Sequence, residues 1–454
     1  MNARLTFLGA VGTVTGSKYL LEFAGQKYLI DSGLFQGQKQ LRQRNWAPLP
    51  VRPAEIDAVF LTHAHLDHSG YIPLLVKNGF KGPVHATAPT CDLCGILLPD
   101  SGHLQERDAE FANRHGYSKH KPAKPLYTQQ DAEDALTHFK PAVFDRTISI
   151  SDDVAIRFLH AGHILGAAII ELNIAGKKIV FSGDLGRPNS ATMLDPAVVH
   201  EADYLVVEST YGNRRHEQQD AEDLIADIVN RTAERGGTVL VPAFAVGRSQ
   251  SLMFHLDRLK KAERIPDLPV FLDSPMAIDA SEIFCRYLED HRLTAAQCGT
   301  SCGVATYTRS VDDSKALDAN PMPKIIISAS GMATGGRILH HLKHYVTDER
   351  NTVLFTGFQA AGTRGDALTK GVKGVKIHGD YFPVHAEVTN LHMLSAHADT
   401  DEILSWLGNV ERAPTMTFVT HGEPDASEAL RQRIMKELKW PSSTPSYQDS
   451  VELV

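Results

Sequence analysis

The six residues His63-Ala64-His65-Leu66-Asp67-His68 place three imidazoles and one carboxylate in a single short stretch. The stretch follows the apolar run 57–61 and precedes the amphipathic segment 71–77, which predicts a strand, a loop and a helix. Imidazole nitrogen and carboxylate oxygen are ligands of zinc and similar divalent ions. One tetrahedral ion cannot easily accept four ligands so closely spaced, whereas two adjacent ions can, each taking one half of the stretch. The alternative is a polar loop that happens to be rich in histidine, and the density of ligating types favours a metal site.

Length and composition predict a folded, two-domain protein. The chain has 454 residues, with 43% hydrophobic and 22% charged side chains. No apolar stretch is long enough to span a bilayer, and the first residues lack the pattern of a signal peptide. We therefore expect a cytoplasmic location and no membrane partner. The five cysteines do not form a disulfide framework; Cys91 and Cys94 have the spacing of a zinc knuckle or redox pair, but free buried thiols are the favoured interpretation, as they are for Cys298 and Cys302.

The net charge of −8 argues against a broad cationic surface for duplex nucleic acid. It does not exclude an anionic substrate, because two divalent ions would add four positive charges at the site itself. A basic tract at 114–122 contains the aromatic residue Tyr117, and it is either a cover for a polyanion or a solvated loop.

Further polar side chains stand at the ends of predicted strands. A β-meander is predicted over residues 4–31, and similar short strands precede each of the other positions. The residues at these strand ends are Asp31, His163, Asp184 and His421. A turn-forming aspartate or a hydrogen-bonding histidine is the alternative at each one. Asp184 has two carboxylate oxygens and is suited to bridge two cations.

Residues 217–356 alternate between predicted helices and apolar strands, which implies an inserted domain with a parallel sheet. Residues 298–323 are turn-rich and are expected to form an irregular surface segment. Two glycine-bearing turns between a strand and a helix, 244–249 and 328–337, each carry an arginine, and amides at such turns bind phosphate. Plain turn chemistry is the alternative. If the inserted domain covers the metals, the residues that would hold substrate phosphates are Arg248, Ser330, Gly331 and Arg337.

This constellation resembles the metallo-β-lactamase fold family, whose members are four-layer αβ/βα sandwiches with metals at strand ends. Glu208, His397 and His421 match the three motifs that mark its β-CASP branch. The resemblance covers essentially the whole chain. It is greatest to compact bacterial and archaeal members related to the endonuclease subunit of the pre-mRNA 3′-end cleavage complex. It implies an α/β fold with a metallo-β-lactamase domain at 1–210, an inserted parallel-sheet β-CASP domain at 211–385, and a completing part of the first domain at 386–454.

The resemblance also implies two zinc ions and a set of catalytic residues at matching positions. One ion is held by His63, His65 and His163, the other by Asp67, His68 and His421, with Asp184 bridging them. Asp31 matches the acid that supports the ligands from behind. Asp67, Glu208 and His397 are assigned to catalysis, the last two as the pair that protonates the leaving group. Histidine at position 421 favours RNA over DNA, because DNA-directed members typically have another residue there.

These inferences predict a zinc-dependent ribonuclease that cuts single-stranded RNA endonucleolytically. Zinc lowers the pKa of bound water from 15.7 to about 7, so a metal-bridged hydroxide would attack and leave 5′-phosphate and 3′-hydroxyl ends. The alternatives are a 5′-to-3′ exoribonuclease, a small-molecule hydrolase of the same fold, and a non-catalytic RNA-binding subunit. Members of the family often form homodimers, although no stretch of this sequence identifies an interface.

Overall fold

The computed structural model describes residues 3–116, 118–217 and 219–454 and divides the chain into two compact units. The first unit comprises 1–190, 194–215 and 397–454, and the second comprises 191–193 and 216–396. The predicted boundaries at 210 and 385 therefore differ from those of the compact units. The difference arises at the later boundary because the strand Glu387–Asn390 adds to the sheet of the second unit, beside Thr352–Phe355.

The first unit contains two seven-stranded sheets. The strands of one sheet are β1 Ala3–Phe7, β2 Tyr19–Phe23, β3 Gln26–Ile30, β4 Ala58–Phe60, β5 Val84–Thr87, β6 Phe139–Ala142 and β22 Ser450–Leu453. The strands of the other are β7 Thr147–Ser151, β8 Val154–His160, β9 Ala168–Ile174, β10 Lys177–Phe181, β11 Tyr204–Val207, β20 Met416–Val419 and β21 Ser442–Ser443. Its α-helices are α1 Lys39–Arg44, α2 Leu66–Ser69, α3 Ile72–Lys77, α4 Ala88–His115, α5 Gln129–Leu136, α13 Thr400–Leu407 and α14 Pro424–Arg433.

The two sheets of the first unit share one apolar core. Phe60 of the first sheet belongs to the same buried cluster as Phe158, Ile170 and Phe181 of the second. Helix α4 contacts β5 and β6, and α14 contacts β20, so helices lie outside both sheets. The predicted four-layer sandwich is confirmed. Central strands such as β4, β9 and β11 are buried on both faces or nearly so, because one face of each sheet packs against the other sheet and helices cover the opposite face.

The second unit is built on a six-stranded parallel sheet in the order β14-β13-β15-β12-β16-β19. Its strands are β12 Val239–Pro242, β13 Val270–Leu272, β14 Ala305–Tyr307, β15 Ile325–Ser328, β16 Thr352–Phe355 and β19 Glu387–Asn390, and a separate hairpin is formed by β17 Gly374–Ile377 and β18 Asp380–Pro383. Its α-helices are α6 Ala221–Glu234, α7 Arg248–Lys261, α8 Pro275–Arg286, α9 Ala295–Gly303, α10 Val311–Ala319, α11 Ile338–Tyr345 and α12 Arg364–Thr369. Separate apolar clusters cover the two faces, with Val239 and Val241 in one and Leu240 in the other. The predicted parallel sheet with helices is confirmed.

The prediction of an irregular segment at 298–323 is wrong, because this region contains most of α9, β14 and α10. Both helices begin at polar residues that cap them, one just before this segment and one within it. Thr294 forms a capping box with Gln297, and the Ser310 hydroxyl accepts a hydrogen bond from the amide of Asp313. Helix α6 likewise begins later than the predicted residue 217, because the Asp220 carboxylate caps it.

Several smaller expectations can be compared directly with the structure. All five cysteines are free thiols. Of the four that were predicted to be free and buried, Cys94 and Cys298 are buried, whereas Cys91 and Cys302 are partly exposed. Among the described residues, no helix combines the length and the apolar character needed to cross a bilayer. Tyr117, the aromatic residue of the basic tract, lies outside the described residues.

Candidate metal centre

Loops that follow strands of the first unit carry the predicted ligands to one place. The loop after β4 holds His63 and His65, and the short helix α2 holds Asp67 and His68. The loops after β8, β10 and β20 supply His163, Asp184 and His421. Tight backbone geometry fixes these loops. A Cβ added at Gly33 would lie 1.6 Å from the carbonyl oxygen of Asp67, so only glycine allows the loop after β3 to pack on α2.

One group of donors consists of His63, His65, His163 and Asp184, whose ligand atoms all lie within 4.8 Å of one another. The Nδ1 atom of His65 is 3.1 Å from His63 Nε2 and 3.3 Å from His163 Nε2. The Oδ2 atom of Asp184 lies 3.5 Å from His63 Nε2 and 3.6 Å from His163 Nε2. Three nitrogens and one carboxylate oxygen therefore converge on a single point.

A second group consists of Asp67, His68 and His421. The Nε2 atoms of His68 and His421 are 3.0 Å apart, and Asp67 Oδ2 is 3.6 Å from the latter and 4.0 Å from the former. The Oδ1 atom of Asp184 lies 3.3 Å from His68 Nε2. Asp184 thus presents one oxygen to each group of donors, which is the arrangement that a bridging ligand requires.

These donors fit a pair of zinc ions. Tetrahedral ligands at 2.0–2.1 Å from zinc lie about 3.3 Å from one another, close to most of the separations above. The Oδ1 atom of Asp184 and the Nδ1 atom of His163 are buried and make no hydrogen bond to any described residue. A buried carboxylate oxygen without a hydrogen bond is costly unless another partner compensates it, and a cation between the two groups would do so.

The protonation states of His63, His163 and Asp184 suit metal binding. His68 differs, because burial lowers its pKa but the neighbouring carboxylates more than offset this and raise the pKa well above the usual histidine value, so a cation would have to displace its proton. Burial, reinforced by neighbouring imidazoles, holds the pKa of His63 and of His163 well below the usual histidine value, which keeps these rings neutral. Burial alone would raise the pKa of Asp184, but the charges of His421 and His68 hold it well below its usual range. Neutral imidazole and ionised carboxylate are the forms that coordinate metals.

Asp31 orients one of the histidines from behind. Its Oδ2 is 2.7 Å from His68 Nδ1, which leaves Nε2 of that ring to face the other donors. Ser17 and Thr62 donate hydrogen bonds to the same carboxylate, so its position is fixed. Such outer partners set the tautomer and ring orientation of ligating histidines.

The buried Glu208 and the partly buried His397 form a pair beside the donors. Both carboxylate oxygens of Glu208 are 3.2 Å from His397 Nδ1, and the amides of Leu185 and Thr210 donate to the same carboxylate. His397 Nδ1 is also 3.9 Å from Asp184 Oδ2. Burial lowers the pKa of His397, but the charges of Glu208 and Asp184 more than offset it, so the pKa is raised. The pair therefore favours the protonated form of this imidazole next to the donor groups.

The four predicted phosphate ligands lie in the second unit, where parallel pairing of β12 and β15 brings their two turns together. A Cβ added at Gly331 would be 2.7 Å from the Phe244 ring, so the two turns pack against each other. The hydroxyl of Ser330 accepts hydrogen bonds from amides within its own turn, and Arg248 begins α7. Phosphate binding by these residues stays a prediction.

Arg337 has a different environment from the one expected. Its guanidinium donates to Asp273 Oδ1 at 2.6 Å and to the carbonyl oxygens of Thr308 and Arg309. A phosphate bound by Arg337 would have to compete with these internal acceptors, one of them a buried carboxylate.

The supporting hydroxyl groups of Ser17, Thr62 and Thr210 were not identified from the sequence. Thr62 lies directly before His63 and bonds to Asp31, while the Thr210 hydroxyl is 3.2 Å from His421 Nδ1. The only signal for them in the sequence was position, because Thr62 directly precedes His63 and Thr210 lies two residues after Glu208. Serine and threonine are too common at strand ends for that signal to be specific.

Comparison with protein families finds three matching models along the chain. The metallo-β-lactamase superfamily matches residues 11–235, and the Beta-Casp domain matches residues 249–368. A Zn-dependent metallo-hydrolase RNA specificity domain matches residues 381–445. Together the models include the regions of all seven donors and of the Glu208–His397 pair.

Relatives are similar over nearly the whole chain. Ribonuclease TTHA0252 of Thermus thermophilus is 35% identical over 435 residues, which cover 94% of this chain and 95% of the relative. Transcription termination factor FttA of Methanosarcina mazei is 32% identical, with 99% of this chain and 72% of the relative covered. An RNase J-like protein of Methanocaldococcus jannaschii is 29% identical, with 97% of each covered. A crystal structure of a protein of unknown function from Enterococcus faecalis V583 matches with a TM-score of 0.55 at 13% identity over the full length of both chains, a likeness of fold alone.

Proposed function

The chain belongs to the β-CASP branch of the metallo-β-lactamase superfamily, whose members include metal-dependent hydrolases, and from this we propose that it is a zinc-dependent ribonuclease that cuts single-stranded RNA internally. The observation that carries the proposal is the two donor groups that share Asp184, with the hydrogen-bonded Glu208–His397 pair beside them. The similarity to a relative named as a ribonuclease, and the match to an RNA specificity domain around His397 and His421, support RNA as the substrate.

In this proposal His63, His65 and His163 hold one zinc ion. Asp67, His68 and His421 hold the second, and Asp184 contacts both. When bound, the two ions supply Lewis acidity towards the phosphate and bring the pKa of water in the site close to neutrality. Asp31 keeps the His68 ring in the tautomer that ligates through Nε2.

The Glu208–His397 pair supplies the proton for the departing oxygen. Glu208 accepts a hydrogen bond from the Nδ1–H of His397, so Nε2 of that ring carries the proton that is transferred to the ribose 3′-oxygen. Water, and not the 2′-hydroxyl of the ribose, is the nucleophile that attacks phosphorus. The products therefore carry 5′-phosphate and 3′-hydroxyl ends. The Glu208 carboxylate faces the imidazole and orients it, as the acid of a catalytic triad does.

Zinc-loaded protein is expected to cut a covalently closed circular single-stranded RNA, and chelation should reduce the rate by at least about 10³-fold, since the ions provide several kcal/mol of transition-state stabilisation. The measurement is gel electrophoresis of labelled circles and of the matching linear RNA. Circles that survive while the linear RNA is degraded from its 5′ end would indicate the exonuclease alternative. Absence of fragments from both RNAs would overturn the nuclease proposal.

The variants Glu208→Gln and His397→Ala should discriminate between leaving groups. We expect RNA cleavage to fall by about 10²–10⁴-fold, because the ribose oxygen requires a proton donor. Hydrolysis of bis(p-nitrophenyl) phosphate should fall by less than about tenfold, because nitrophenolate is a weak base and leaves without protonation. The zinc content of each variant, measured by elemental analysis, serves as the control for the metal centre. An equal loss with both substrates would contradict the assigned role.

A further inference from the structure

The first unit contains a basic concavity outside the metal centre. It has a volume of about 680 Å³ and is bordered by Gly212–Arg215, by Thr400, by the end of α14 and by the π-helical turn Ile434–Leu438 that follows it. This size lies within the range of about 300–1,000 Å³ that is usual for ligand-binding clefts. We call it the Arg214 groove. Four cationic side chains line it, namely Arg214, Arg215, Arg433 and Lys436, together with the single acid Glu437.

The walls of the groove are bonded to one another. The Thr400 amide donates to the Arg214 carbonyl oxygen, and Arg433 donates to the Thr400 hydroxyl and to the Asp401 carboxylate at 2.5 Å. Arg215 reaches the same Asp401 carboxylate at 2.7 Å. These bonds hold the three chain segments in place, so the concavity does not have to form when a ligand binds.

The charges of the groove are only partly balanced. Arg433 also pairs with Glu437, so the two carboxylates at the groove are occupied by Arg215 and Arg433. Arg214 and Lys436 are exposed and form no ion pair with any described carboxylate. This positive concavity occurs in a chain whose net charge is −8, which indicates a site for an anion rather than a general basic surface.

The lining favours a phosphate backbone over bases or an isolated nucleotide. None of the described lining residues is aromatic, so the groove offers no ring on which a base would stack. It offers guanidinium and ammonium groups together with the amides of Asn213 and Gln432, which suit phosphate oxygens. An extended polyanion uses such a row of donors without requiring an enclosed pocket.

The groove adjoins the candidate metal centre along the chain. Gly212 at its edge is two residues from Thr210, whose hydroxyl is 3.2 Å from His421 Nδ1. Two residues span at most about 7 Å, so this wall of the groove begins close to a proposed metal ligand.

We propose that the Arg214 groove binds phosphates of the RNA strand flanking the scissile bond, with Arg214 and Lys436 as the phosphate ligands. The proposal rests on the proposed function for the identity of the polyanion. Arg215 and Arg433 position the walls through Asp401, while the two cations without carboxylate partners contact the substrate.

The test is binding of a fluorescein-labelled 20-nucleotide oligouridylate, measured by fluorescence anisotropy in chelator so that no cleavage occurs. For the double variant Arg214→Ala/Lys436→Ala we expect Kd to rise roughly tenfold. The slope of log K against log salt should become shallower by about 1.4, which corresponds to two lost contacts with a single strand. The control is Arg146→Ala/Lys177→Ala, which removes two exposed cations elsewhere in the first unit and should change Kd by less than about twofold.

The proposal would be overturned if Kd and the salt slope were unaltered in the groove variant. Equal losses of RNA affinity in both double variants would overturn it as well. Calorimetric titration with uridine monophosphate and with inorganic phosphate separates the sources of the anion. Tight binding of either small ligand that disappears in the groove variant would identify a small-molecule site and also overturn it. Unfolding temperature and zinc content verify that the variant is intact. Because binding is measured without turnover, failure of the nuclease assay and failure of this test are distinguishable.

Discussion

Asp184→Asn is expected to abolish most RNA hydrolysis, with a loss of at least about 10³-fold, and to lower the bound zinc below two ions per chain. The physical reason is that Asp184 presents Oδ2 to one donor group and Oδ1 to the other. An asparagine side chain has nearly the same shape, but it is uncharged and replaces one carboxylate oxygen with an NH2 group that cannot ligate. The loss of several kcal/mol of metal-dependent stabilisation of the transition state corresponds to a rate loss of this size. Rates on labelled RNA and zinc determined by elemental analysis provide the measurements.

The matched control for this substitution is Asp152→Asn. Asp152 is an exposed residue in the turn between β7 and β8, and the same change there removes one charge from the first unit without reaching the donors. For Asp152→Asn we expect the rate of RNA hydrolysis and the zinc content of the wild type. If Asp184→Asn retained both ions and near-normal activity, the assignment of a shared carboxylate would be excluded. A parallel loss in Asp152→Asn would show that net charge rather than ligation is responsible.

The positions of the seven donors could be anticipated because each one carries a local signal. His63 to His68 crowd four ligating types into one short stretch, and His163, Asp184 and His421 follow predicted strands. A sheet brings such strand ends together even when they are far apart in sequence, so local patterns give a global prediction. The structure brings all seven side chains into two adjacent groups.

Features that depend on packing between distant segments were harder to predict from the sequence. The capped helices α9 and α10 were hidden because Thr294 and Ser310 look the same as turn residues until their hydrogen bonds are known. The pairing of β19 with β16, which moves the later unit boundary to 396, depends on register rather than on composition. The Arg214 groove assembles three segments with no shared motif.

A buried ionic cluster in the second unit is another feature without a sequence signal. His341 is fully buried, with Nε2 at 2.6 Å from Asp273 Oδ2 and Nδ1 at 2.6 Å from Asp318 Oδ1. Asp273 also accepts hydrogen bonds from Arg337 and Ser314. Burial lowers the pKa of His341, but the two carboxylates more than offset it and raise the pKa to about 9. Burial would raise the pKa of Asp273, but hydrogen bonds from these partners hold it below its usual value. An imidazolium between two carboxylates therefore ties α11 to α10 and to the end of β13.

Replacing His341 with glutamine is expected to destabilise the protein by about 3 kcal/mol at pH 7, because it removes the imidazolium from the buried Asp273 carboxylate and leaves Arg337 as the remaining cationic partner of that carboxylate. The effect should depend on pH in one direction. The folded pKa of His341 is about 9 and lies above the unfolded value of about 6.5. Its stabilisation is therefore complete below pH 6.5 and is lost as the pH rises through 9, about 3 kcal/mol in all. Urea unfolding of the wild type and the variant, followed by circular dichroism from pH 6 to pH 10, measures both quantities.

The comparison that isolates this cluster uses His344→Gln, an exposed position on the same helix α11. That variant should unfold at the wild-type urea concentration at every pH, since its imidazole has no buried carboxylate to neutralise. The stability gap between the wild type and His341→Gln should narrow above pH 9, because the wild-type imidazole then loses the proton that the variant never carries. A gap that stays constant from pH 6 to pH 10 would mean that His341 contributes shape and hydrogen bonds rather than charge. The ionic account of how α10, α11 and β13 are held together would then be wrong.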